Sequence, residues 1–143
     1  MTVKQLSVFV ENKPGRLSSI TKLLGDNQID IRAMSIADTK DFGILRLIVN
    51  DPDKTLALLK ENDYSVTITN VIAIGITDKP GALAGAMETL YANNISVEYM
   101  YAFISKTDDT AYIIFRVENN ENAISCLSEA GYKILTSAEI YDM

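Results

Sequence analysis

The chain has 143 residues, 48% hydrophobic and 22% charged, which supplies apolar material for one ordinary domain or two very small ones. It carries a net charge of −6 and no histidine, so it repels phosphate backbones and lacks the commonest general base and metal ligand. Nucleic-acid binding, hydrolysis and metal chemistry are thereby disfavoured, and no apolar run approaches the roughly 20 residues that span a bilayer.

The first predicted strand is Val3–Val10, with Leu6, Val8 and Val10 alternating. Lys4 and Gln5 deny this segment the basic-then-apolar order of a signal peptide, so a cytoplasmic location is the default expectation. A helix starts at Pro14-Gly15, its apolar face formed by Leu17, Ile20 and Leu24. Ile29–Ala37 and Gly43–Val49 predict the second and third strands. Asp51 then Pro52 supply a cap and a first-turn proline, and Leu56 and Leu59 form the apolar face of that helix. Tyr64–Thr69 predicts a fourth strand that runs almost directly into a fifth, Val71–Thr77. The order then restarts: a helix with Leu83, Ala86 and Leu90; strands Ile95–Ser105 and Ala111–Val117; a helix with Ile124 and Leu127; and a last strand over Tyr132–Tyr141. Gly131 is the expected helix stop. The single cysteine, Cys126, sits in Ile124-Ser125-Cys126-Leu127 and reads as a small buried hydrophobe.

The restart is a repeat. Asn12-Lys13-Pro14-Gly15-Arg16-Leu17 recurs 66 residues later as Asp78-Lys79-Pro80-Gly81-Ala82-Leu83. The same offset pairs Leu24 with Leu90, Asn27 with Asn93, Ile29 with Ile95 and Ile31 with Val97. Later the offset is 68, pairing Leu45 with Ile113, Leu47 with Phe115, Leu59 with Leu127 and Tyr64 with Tyr132. The polar cluster Lys106–Thr110 absorbs the two extra residues, as a solvated loop can. The expected fold is α+β: two tandem ferredoxin-like βαββαβ units, residues 1–69 and 70–143, with antiparallel sheets and helices on one face. The other sheet face would carry Ile44, Arg46, Ile48, Tyr112, Ile114 and Arg116, joined by Met34, Ile36 and Met100. That is more apolar than a solvated face, so association between copies or between chains is expected.

The Asn/Asp-Lys-Pro-Gly-x-Leu element lies between a strand and a helix in both copies. A helix N-terminus offers unpaired N–H groups and partial positive charge to a carboxylate. Glycine admits a ligand close to the backbone, and Asn12 or Asp78 can accept from an ammonium. Together these groups hold an α-amino acid zwitterion. The plainer reading of one copy is Asn or Asp capping a helix, with Pro-Gly as a turn.

These motifs, with Ile29-Asp30-Ile31 in the first copy and Asn94-Ile95-Ser96-Val97 in the second, resemble the ACT domain over almost the whole chain. The resemblance implies a non-catalytic regulatory module that binds a free amino acid at interfaces between paired domains. It implies a metabolic enzyme as a possible partner; the apolar second sheet face and short linker add the expectation of a homodimer, and composition that of no cofactor, metal, nucleic acid or membrane. By position, the ligand-binding residues are Asn12, Pro14, Gly15, Arg16 and Leu17 in the first copy. In the second they are Asp78, Pro80, Gly81, Ala82 and Leu83. The position opening the second strand, often Asn in binding members, is Asp30 in one copy and Ser96 in the other, so the two sites are expected to differ.

Three rival functions fit parts of the same pattern. An acylphosphatase-like enzyme would need an Arg-containing phosphate loop after the first strand, and none is visible; Glu88 and Glu121 fall on solvated helix faces. An RNA-recognition sheet could use Tyr99, Tyr101 and Phe103, but the chain is acidic and the basic-aromatic pattern is missing; these rings are expected to pack under the helices. A ligand-free scaffold that dimerises and regulates a partner enzyme carries the same signature as a sensor.

Overall fold

The computed structural model describes residues 1–38, 40–104 and 109–143. Its contacts divide the chain into two compact modules. The first comprises Lys4–Thr69 with Ile140–Met143, and the second comprises Asn70–Glu139 with Met1–Val3.

In the first module the elements are β1 (Val3–Glu11), α1 (Arg16–Asp26), β2 (Ile31–Asp38), β3 (Phe42–Val49), α2 (Pro52–Glu61) and the start of β4 (Ser65–Thr77). The strand order is β4-β1-β3-β2, with β1 and β2 antiparallel to β3. In the second, β4 continues into α3 (Ala82–Ala92), β5 (Tyr99–Ile104), β6 (Thr110–Arg116), α4 (Asn120–Glu129) and β7 (Lys133–Ile134). The order there is β7-β4-β6-β5, all pairs antiparallel. Each is the ferredoxin-like arrangement, and each core lies between its sheet and its helix pair. Leu6, Val8, Leu45 and Leu47 meet Ile20, Leu24 and Leu59 in one. Ile72, Ile74, Ile113 and Phe115 meet Ala86, Leu90, Ala123 and Leu127 in the other.

The helix ends follow local chemistry. Asp51 and Asn119 cap α2 and α4, each accepting at 3.1 Å from a backbone N–H three residues on. Beyond the helices Gln28, Asp63 and Asn94 take positive φ, at 60°, 64° and 56°, as does Gly131 at 92°, so the predicted glycine stop has three non-glycine counterparts.

Five expectations are corrected. The last strand does not run over Tyr132–Tyr141: β7 stops at Ile134, and Ser137–Tyr141 forms a short helix, α5. Thr136 and Glu139 make a capping box there, Thr136 N donating to Glu139 Oε2 at 2.7 Å and Glu139 N donating to Thr136 Oγ1 at 3.2 Å. The strand expected from Ile95 begins only at Tyr99, while its expected end at Ser105 and the loop residues Lys106–Asp108 lie outside the described residues. Met34 and Ile36 pair with Leu47 and Leu45, and directly opposed residues share a face. They therefore lie on the helix side, at an edge strand, 43% and 51% exposed; Met100 also packs against the helix-side core. Conversely, Tyr101 and Phe103 pair with Ile114 and Tyr112 on the other face, where Phe103 and Tyr112 stack at 5.2 Å. Finally, Leu17 and Leu83 do not join Ile20, Leu24, Ala86 and Leu90 in the cores; they are 39% and 37% exposed.

Candidate functional site

The two Pro-Gly loops adopt one geometry. β1 ends at Glu11, and Lys13 N turns back to donate to Glu11 O at 2.8 Å; Lys79 N donates to Thr77 O at 2.9 Å. Asn12 N donates to Asp41 O at 3.0 Å and Asp78 N to Asp109 O at 2.7 Å, which ties each loop to a strand hairpin. Gly15 and Gly81 then occupy the N-cap positions at φ 87° and 90°. A Cβ added at either would meet nothing within 4 Å, so the space in front of each helix is open. Arg16 N and Ala82 N donate back to Lys13 O and Lys79 O at 3.3 and 3.2 Å. The next two N–H groups of each helix, Leu17 and Ser18 in α1, Leu83 and Ala84 in α3, have no carbonyl one turn earlier within the helix.

Neither Asn12 nor Asp78 caps its helix. No side chain caps α1 or α3, and neither has an acidic residue in its first turn. The positive end of each helix dipole is thus left facing solvent. Around the first loop Glu11 holds Lys13 at 2.9 Å and Arg16 at 3.7 Å, and the lysine's hydrogen bond holds the Glu11 carboxyl below its ordinary value. The second loop has Thr77 and Ala82 at the positions of Glu11 and Arg16, so Asp78 and Lys79 are its charges.

The structure does not bring Asp30 and Ser96 to these loops within a module. α1 and α3 have 11 residues each, about 16 Å at 1.5 Å per residue, and the loops stand at one end while Asp30 and Ser96 follow the other. Asp30 pairs with Arg32 at 3.2 Å, and its N–H donates to Asn50 Oδ1 at 2.9 Å. Ser96 lines a cleft of about 700 Å³ with Asn94, Glu98, Glu118 and Asn122. A smaller hollow of about 340 Å³ touches the first loop, with Phe9, Glu11, Arg16, Phe42 and Tyr64 on its walls. Neither hollow was foreseen from sequence, since each collects residues from distant segments.

A family profile described as an ACT domain pair matches residues 1–143. The chain belongs to the ACT domain family. A crystal structure of a protein from Bacteroides thetaiotaomicron is 40% identical, covers 100% of this ACT pair and 98% of its own chain, and superposes with a TM-score of 0.94. The ligand-free regulatory subunit of aspartate kinase from Thermus thermophilus is 13% identical over 90% of this chain and 92% of its own, with a TM-score of 0.63. Its Thermus flavus counterpart is 12% identical over 89% and 91%, with a TM-score of 0.61. The two aspartate kinase subunits share the fold. No curated protein sequence matches the chain. Among the described residues no helix is long and apolar enough to cross a membrane.

Proposed function

We propose that this ACT pair is a non-catalytic, cytoplasmic regulator built of domains 1–69 and 70–143, which senses a free amino acid. The ligand carboxylate sits on the open N–H groups after Gly15 and Gly81, and Asn12 and Asp78 accept from its ammonium. The reading is supported above all by the two uncapped helix N-termini, each unopposed by a first-turn acid and open above the glycine. Pro14 and Pro80 set the entry, and the half-exposed Leu17 and Leu83 supply apolar contact beside the carboxylate site. A second copy of the chain completes each site, so the regulator works as a homodimer, and a metabolic enzyme is its target. Asp30 and Ser96 would act toward the ligand of a facing domain.

The decisive experiment is a thermal-shift and calorimetric screen of the twenty amino acids. One of them should stabilise the fold by about 2.7 kcal/mol at 100 times Kd. At about 2.1 cal/mol/K per residue that raises Tm by about 9 °C. Asp78→Ala should weaken binding by roughly 1.5–3 kcal/mol, the worth of a charge-assisted bond, and Asn12→Ala by less. Because neither side chain is a helix cap, both variants should melt near the wild-type temperature without ligand. If no amino acid shifts the wild type at millimolar concentration, the scaffold reading replaces the sensor.

A further inference from the structure

One corner of the fold exists in both modules in two chemical states. The corner is formed by the end of the first helix of each module, the start of its second strand and the cap of its second helix. Its backbone is the same in each. Gln28 and Asn94 take the left-handed conformation. Ile29 N and Ile95 N donate to Leu24 O and Leu90 O, both at 2.9 Å. Lys54 N and Asn122 N donate to the caps Asp51 and Asn119, both at 3.1 Å. Lys54 therefore corresponds to Asn122, Arg32 to Glu98 and Asn50 to Glu118.

In the first module an ammonium occupies this corner. Lys54 Nζ donates to Asn27 O, just past the end of α1, at 3.0 Å. Neither α1 nor α3 has a basic residue in its last turn, so the lysine from α2 answers the negative end of the α1 dipole. Arg32 adds a second cation, and Asp30 and Asp51 balance the two. In the second module the lysine is replaced by an asparagine too short to reach across. Both cations are gone, and two carboxylates, Glu98 and Glu118, have come in. Arg116 answers Glu98 at 2.9 Å, which leaves two acids against one base. The corner is now the cleft of about 700 Å³. A hollow sharing Asn93, Ile95 and Asn122 with it runs past Ser125 and Cys126 to Glu129, at the far end of α4, about 14 Å from Asn120 at 1.5 Å per residue.

We infer that this cleft binds an organic primary ammonium ion, a linear amine or polyamine whose ammonium stands at Asn93 O as that of Lys54 stands at Asn27 O. Glu118 supplies the counter-charge, and Asn119 and Asn122 supply amide oxygens. Glu129 offers a second carboxylate to a diamine or longer chain. A primary ammonium fits better than a quaternary one because the site offers acceptors, which only an N–H can use. The cleft lies at the opposite end of α3 from Gly81 and shares Ser96 with the proposed facing-domain contact, so a probe without a carboxylate is needed to separate the two readings.

The test is a titration of the full chain with butylamine, 1,4-diaminobutane and spermidine at constant ionic strength. Melting temperature and amide NMR shifts would be followed, with tetramethylammonium and sodium chloride as controls. The amines should raise Tm and move the resonances of Asn93, Asn94, Ser96 and Asn122. Asn122→Lys, which installs the first module's own ammonium on an exposed helix position, should melt higher than wild type and lose amine binding. Glu118→Gln should weaken binding about tenfold, as loss of one charge-assisted bond does. Asp78→Ala, at the Gly81 loop, should leave amine binding unchanged. The proposal is overturned if tetramethylammonium or salt gives the same shift, if no amine moves the cleft resonances, or if Asn122→Lys binds amines as the wild type does. Butylamine has no carboxylate, so its binding stands or falls apart from any amino-acid response.

Discussion

Replacing Gly15 or Gly81 by alanine isolates the backbone contribution of the loops. Both glycines sit near φ 90°, and a Cβ at either meets nothing within 4 Å, so no clash enters the effect. A left-handed L-residue costs roughly 1–2 kcal/mol, partly offset by a stiffer unfolded chain worth about 0.4–1 kcal/mol. The net loss is about 1 kcal/mol per site, or about 3 °C in Tm for a chain of this length at about 2.1 cal/mol/K per residue. Asparagine tolerates the left-handed region better than alanine, so Gly81→Asn should recover part of that loss. Calorimetric melts of the two alanine variants and Gly81→Asn settle the matter. An alanine variant that melts with the wild type, or an asparagine variant below the alanine one, would refute the assignment of these glycines to backbone conformation.

Leu47 and Met34 face each other across β2 and β3, yet Leu47 is fully buried and Met34 is exposed; Leu47→Ala should cost about 2–5 kcal/mol in denaturant melts and Met34→Ala far less. Asp51→Ala and Asn119→Ala each remove a helix cap and should lose about 1 kcal/mol, read by the same melts. Glu139 is held below its ordinary value of 4.5, chiefly by the Thr136 N–H. A lowered carboxyl contributes stability that is present above its unfolded value and lost as pH falls through the folded one. The stability gap between wild type and Glu139→Gln should therefore stay constant near neutral pH and close below about pH 4.5. Cys126 is largely buried, and burial raises its thiol pKa, so a thiol reagent should label it more slowly in the native chain than in denaturant.

The repeat was legible because apolar periodicity and turn residues recur at fixed offsets, and these fix the order of elements. Sheet facing was less legible. Met34 and Ile36 alternate as expected, but β2 carries an irregularity between Ile31 and Ala33, and one displaced residue moves a strand's side chains to the other face. The terminal helix was missed because Thr136 and Glu139 act through a hydrogen-bonded box, while Tyr132, Ile134 and Ile140 mimic strand alternation. At the loops, Asn12 and Asp78 suggested caps, but glycine took the N-cap position and left the polar side chains free of that duty. The clefts stayed hidden because their walls come from segments 20 or more residues apart.

The two modules act as controls for each other. What they share follows from the fold: a glycine at positive φ before the first helix, a left-handed stop after it, and a capped second helix. What differs cannot be required by the fold, since the other copy folds without it. The first copy spends its charges internally, Glu11 on Lys13 and Arg16, Asp30 on Arg32, Lys54 on Asn27 O. The second keeps Glu98 paired with Arg116 but has no base at the places of Arg16, Arg32 and Lys54. Its loop and its cleft therefore present charge to solvent where the first copy neutralises it. If one copy is the receptor and the other the frame, the second is the receptor. Amino-acid binding should then weaken on changing Asp78 and amine binding on changing Glu118, and each should respond far less to the matching change at Asn12 or Asn50.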